Sequence, residues 1–126
     1  MPAHMSHEEF ERVVAEVFEG LPELFRNSIK NVHIVIEDAV PERLGKRRGI
    51  RGSVLLGLYE GVPLPKRGFD YGMAPVLPDR ITLFKDNLEA FSASELQLRE
   101  NIRETLLHEI GHYYGMSERQ IRAAGY

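Results

Sequence analysis

Phe10, Val13, Val14, Val17, Phe18 and Leu21 recur at intervals of three and four residues, which places them on one face of an amphipathic helix. Ser6 followed by Glu9 has the spacing of a capping box, so this helix is expected to start there. Gly20 and Pro22 end it, and Pro22 can open a short further turn through Phe25. The period then changes to two. Val32–Glu37 is short and rich in β-branched residues, as a strand requires, with Val32, Ile34 and Ile36 on one face and His33, Val35 and Glu37 on the other. Residues 41–44 suffice for one helical turn. Residues 54–59 are apolar enough for a buried strand. Residues 80–84 form a third strand candidate, assigned to an exposed sheet edge.

Between these last two strands, residues 60–78 hold four prolines and three glycines, the composition of a long irregular loop; loops of that length in a small domain are often functional. Further on, Ser92 and Glu95 repeat the capping-box spacing, and a helix is expected over 93–114. Gly115 is placed to close it in the left-handed conformation. Ser117 with Gln120 caps a last short helix. On a 100° wheel, Ile102, Leu106, Leu107, Ile110, Tyr113 and Tyr114 gather on one side of the long helix. Asn101, Thr105, His108 and His112 gather on another, off the apolar stripe and facing a cleft or solvent.

The chain has 126 residues, which fits one domain, 1–126, and a modest core. Its formal net charge of −3 implies no polyanionic partner. The five positive charges of Arg43, Lys46, Arg47, Arg48 and Arg51 form a local run without interleaved aromatics, so it is read as a solvated loop and nucleic-acid binding is not expected. The absence of cysteine removes disulfides, thiolate metal sites and cysteine nucleophiles together. Neither an N-terminal signal peptide nor a membrane span is visible, and a cytoplasmic location is expected.

The chemistry lies in residues 108–118. His108 and His112 are one helical turn apart on the same face, a spacing at which two imidazoles reach one ion at Zn–N distances of ~2.0–2.1 Å. Glu109 is ~100° round the helix, beside the ion, where it can accept a proton from water. A sharp turn at Gly115 can return Glu118 toward the histidines as a third ligand; otherwise Glu118 is a favourable charge in the first turn of the last helix. Three protein ligands leave a fourth position open, as in catalytic zinc sites. Two histidines and a glutamate at this spacing arise by chance in roughly 0.3% of chains this long, so accident is a poor explanation. Gly111, inside the helix, costs about 1 kcal/mol relative to alanine, which close packing would explain.

The segment His108-Glu109-Ile110-Gly111-His112-Tyr113-Tyr114-Gly115-Met116-Ser117-Glu118 resembles the zincin motif in its extended metzincin form. Together with Gly57-Leu58-Tyr59-Glu60-Gly61-Val62-Pro63-Leu64 and Leu77-Pro78-Asp79-Arg80-Ile81-Thr82-Leu83-Phe84, it is similar to the small bacterial zincin-like metallopeptidase family, from about Phe10 onward. The resemblance implies a single-domain α+β fold: a small mixed sheet, a long N-terminal helix and an active-site helix. It also implies one zinc ion at His108, His112 and Glu118, with Glu109 as the catalytic acid/base. Two features depart from typical metzincins. Glu118 is a carboxylate where they carry histidine, and the eight residues after it leave no room for a methionine turn. The expected function is peptide-bond hydrolysis on a peptide or protein substrate. The alternatives are a non-catalytic zinc- and peptide-binding module or a metal-dependent ribonuclease. Tyr71 is a candidate oxyanion donor.

Overall fold

The computed structural model describes residues 3–28, 32–44, 54–63, 66 and 79–125. Its first helix, α1 (His7–Glu19), begins at the Ser6 cap, whose hydroxyl accepts the Glu9 amide at 3.1 Å. Phe10, Val13, Val14 and Leu21 are buried, while Val17 and Phe18 pack at the edge of the core. The segment before α1 belongs to the core too. Met5 is buried, its amide donates to Glu89, and the Ala3 amide donates to the Ser92 carbonyl. After Pro22 the chain forms α2 (Glu23–Ser28), longer than the single turn expected.

Among the described residues three strands make one mixed sheet: β1 (Val32–Glu37), β2 (Gly57–Glu60) and β3 (Asp79–Phe84), in the order β1-β3-β2. β1 runs parallel to β3, and β2 antiparallel to it. A 3₁₀ turn at Glu42–Leu44 lies where one helical turn is expected. The fold is therefore α+β. Two strand expectations need correction. Residues 80–84 are not an edge but lie in the central strand, flanked on both sides; alternation reports which faces are buried and is silent about neighbours. Residues 54–56 are not strand, although Leu55 and Leu56 are buried and the Leu56 carbonyl accepts the Phe84 amide at 3.0 Å.

A short helix, α3 (Lys85–Ala90), follows β3 directly. It buries Leu88 together with a Lys85–Glu89 ion pair at 2.9 Å. The long helix α4 (Glu95–Tyr113) is capped by Ser94 rather than Ser92, with the Ser94 hydroxyl accepting the Gln97 amide. Ser92 is already committed elsewhere: its hydroxyl donates to the Leu88 carbonyl and accepts from Asn101. α4 crosses the sheet with α1 beside it, and its apolar residues Leu98, Ile102, Leu106 and Ile110 form the centre of the core with Ile81, Leu83 and Phe10. The last helix, α5 (Glu118–Ala123), folds back on α4. No helix among the described residues is long and apolar enough to cross a membrane.

Candidate metal centre

Most of the polar face of α4 is shielded from solvent: Asn101, Thr105 and His108 are buried, and His112 is half-buried. From Thr105 to Gly111 every residue is buried, because the apolar side packs on the core while the other side packs on β2. The approach to β2 is close at Gly57, where a Cβ would lie 2.6 Å from Thr105 Cγ2. A glycine inside a strand marks that kind of backbone approach. One turn further along α4, Glu109 reaches the same strand, and the Tyr59 amide donates to Glu109 Oε1 at 2.8 Å. Tyr59 is itself held by its hydroxyl, which donates to buried Asp79, and by an edge-on contact between its ring and that of Tyr113.

The C-terminal end of α4 forms the turn that the glycine pattern predicts. Gly115 has φ 83°; its amide donates to the His112 carbonyl, and the Met116 amide donates back to the Gly111 carbonyl. These two bonds make a Schellman motif. Ser117 and Gln120 then form a reciprocal capping box that starts α5. The reversal places Glu118 over the histidines. Glu118 Oε1 lies 3.0 Å from His108 Nε2 and 2.8 Å from His112 Nε2.

His108, Glu109, His112 and Glu118 are thus brought together as the motif spacing requires. The ligand atoms of His108, Glu109 and His112 lie within 4.8 Å of one another, so either carboxylate could complete a set with the two rings. The contacts separate their tasks. Glu118 shares one oxygen between both Nε2 atoms, whereas Glu109 is tethered to the backbone of β2. Donor atoms around tetrahedral zinc stand roughly 3.3 Å apart, so opening the His–Glu118 contacts by about 0.4 Å would admit an ion. Ligation through Nε2 would move the ring proton to Nδ1; His108 Nδ1, in a ring only 1% exposed, has no partner among the described residues.

Electrostatics distinguishes the two carboxylates. Burial pushes the pKa of Glu109 above that of an ordinary glutamate, against the pull of the two histidines and of the Tyr59 amide. Partial burial pushes Glu118 up as well, but hydrogen bonds from His108 and His112, with their charge, outweigh it and hold the carboxyl below its usual range. The four residues line a cleft of about 450 Å³ whose other walls include Leu55, Leu56, Leu58 and Met116.

The parts of this site that come from β2 leave little mark in the sequence. The Tyr59 amide is a backbone group and leaves no trace in residue type; Gly57, a glycine within an apolar run, is the one signal available. His33 is exposed on β1, away from the two motif histidines in sequence. Arg43 forms a bidentate pair with Glu60 at 2.9 and 3.0 Å. Tyr71 and the remaining basic residues of the 43–51 run lie outside the described residues.

An α+β domain that presents two histidines, a buried glutamate and a returning carboxylate at the end of one helix has the donor set of a metal-dependent hydrolase. A scan against protein families matches residues 29–126 to the zincin-like metallopeptidases, and the chain belongs to that family. The match begins after α1 and α2, not near Phe10 as the resemblance suggests. A search of curated proteins finds no match to the chain.

Proposed function

We propose that this chain is a zinc-dependent metallopeptidase that hydrolyses peptide bonds with Glu109 as the general base. The observation that carries this reading is a buried glutamate held by the Tyr59 amide within 4.8 Å of both imidazoles, in an open cleft. His108 and His112 would hold zinc through Nε2, and Glu118 through a carboxylate oxygen. Zinc, when bound, supplies Lewis-acid polarisation of the scissile carbonyl and of a water molecule. Glu109 keeps Oε1 on the Tyr59 amide and takes the proton of the attacking water on Oε2, then delivers it to the leaving amine. A carboxyl pKa raised by burial makes it a stronger base for that transfer.

An extended peptide suits the cleft. Along β2 the Leu56 carbonyl faces β3 while the Tyr59 amide faces Glu109. Peptide groups alternate along a strand, so Gly57 turns its amide and carbonyl to the cleft side. This supports substrate binding by strand addition, along β2 rather than along β3. The ribonuclease alternative draws on the basic run, and the guanidinium of Arg43 is already engaged by Glu60.

Glu109→Gln protein, assayed on denatured protein substrates, tests the reading. We expect it to keep its zinc and lose about 10²–10⁴-fold in turnover, the usual contribution of a general base. Unchanged hydrolysis by the variant would remove Glu109 from the mechanism.

A further inference from the structure

Gly111 stands between the two histidines on α4, and α5 packs directly onto it. A Cβ at this position would lie 2.8 Å from Ile121 Cγ1 and 2.9 Å from Ile121 Cδ1. Real Cβ contacts essentially never fall under 3.0 Å and ordinary contact begins at 3.4 Å, so a methyl group there calls for a separation of about 0.2–0.6 Å. Ile121 has little means of yielding it, since the side chain is fully buried and β-branched side chains are stiff at χ1. α4 is equally constrained, being packed on α1, α3, β2 and β3. The element left to move is α5, six residues long.

Glu118 and Ile121 are three residues apart on α5 and share a face. A shift that relieves Ile121 therefore carries Glu118 with it. The tolerance on a ligand distance in a metal site is about ±0.2 Å, which the separation needed to restore ordinary contact at position 111, about 0.6 Å, exceeds. We propose that Gly111 and Ile121 form a notch that sets the position of Glu118, so that zinc affinity depends on the missing side chain at 111 as well as on the ligands. The proposal rests on the reading of Glu118 as third ligand. It gives both residues a positioning role, and neither touches the ion or the substrate.

The test is zinc affinity, measured by competition with a chromophoric chelator, for wild-type, Gly111→Ala, Ile121→Ala, the double variant and Glu118→Ala. Residues that orient metal ligands typically cost 10–100-fold in affinity when changed. Gly111→Ala should therefore lose about 10-fold or more. Ile121→Ala, which leaves α5 without its anchor, should lose affinity too. In the double variant the new methyl occupies space vacated by Ile121, and affinity should return toward wild type. Glu118→Ala should cost affinity in the wild-type and double-variant backgrounds but add little in Gly111→Ala, where the ligand is already displaced. Full zinc affinity in Glu118→Ala would remove the third-ligand reading itself. Loss in Glu118→Ala alongside wild-type affinity in Gly111→Ala would overturn the notch alone. Should Gly111→Ala fail to fold, the double variant decides: recovered affinity that still depends on Glu118 supports the notch, and a folded double variant that binds zinc 10-fold more weakly than wild type contradicts it.

Discussion

α1 and α4 both lay an apolar stripe on the same core, but they differ in what the opposite face does. On α1 that face, with Glu8, Glu11, Arg12 and Glu16, is in water. On α4 the opposite face is buried against β2 from Thr105 through Glu109, with polar and ionisable groups included. Burial of the α1 stripe is favourable by itself, at roughly 25 cal/mol per Å² of apolar surface. Burial of an imidazole and a carboxylate is unfavourable unless partners offset it. On α4 the partners are a backbone amide for Glu109 and, for the rings, Glu118. The family match draws the same line: it includes α4 and excludes α1. α1 buries one face, whereas α4 buries particular polar residues on a second face as well.

The comparison can be broken at either helix. The largest effect on α1 is expected from Phe10→Ala, which empties a fully buried site in the core and should cost about 3–5 kcal/mol in denaturant unfolding. Zinc affinity of the fraction that remains folded should not change. A large fall in affinity would mean that α1 supports the candidate metal centre directly and that the two helices do not act separately.

The smallest effect is expected away from both helices, at Glu60. Its carboxylate is held at a pKa of about 2, first by the hydrogen bond from Arg43 and also by Arg80, despite an opposing effect of burial. A depressed carboxyl pKa contributes stability that is present above the ordinary value of 4.5 and is lost as pH falls from there toward 2. The Arg43 and Arg80 side chains are 52% and 40% exposed, so solvent screens much of the gain. Metal-free Glu60→Gln protein should show a flatter stability profile than wild type between pH 4.5 and 2, with little difference in shape above it. Parallel profiles across that interval would dismiss the ion pairs.

The sequence made legible what is local. α1, β1, the Gly115 turn and the capping box of α5 each follow from side chains a few residues apart, and so does the gathering of His108, Glu109, His112 and Glu118 into one candidate metal centre. What escaped was non-local or unmarked. β3 reads as an edge because alternation in residues 80–84 cannot reveal how many neighbours a strand has. α3 has one apolar residue facing the core, Leu88, beside the buried ion pair, and its cap at Phe84 makes no side-chain hydrogen bond, so neither period nor cap marked it. Ser92 and Ser94 are both followed three residues later by a suitable partner. Tertiary contact with Asn101 draws Ser92 into the end of α3 and leaves the cap to Ser94. The tether of Glu109 to β2 depends on a backbone amide 50 residues away, which no motif spacing encodes.

If the two rings of α4 and the returning carboxylate of α5 hold one cation, Glu109 stays free of it. Metal content of the purified chain at neutral pH, compared among wild type, His108→Ala, His112→Ala and Glu109→Gln, measures this directly. The arrangement predicts one zinc per chain in wild type and in Glu109→Gln, and loss of zinc from both histidine variants. Zinc retained in full by His108→Ala and His112→Ala, or no uptake by the wild-type chain, would contradict it.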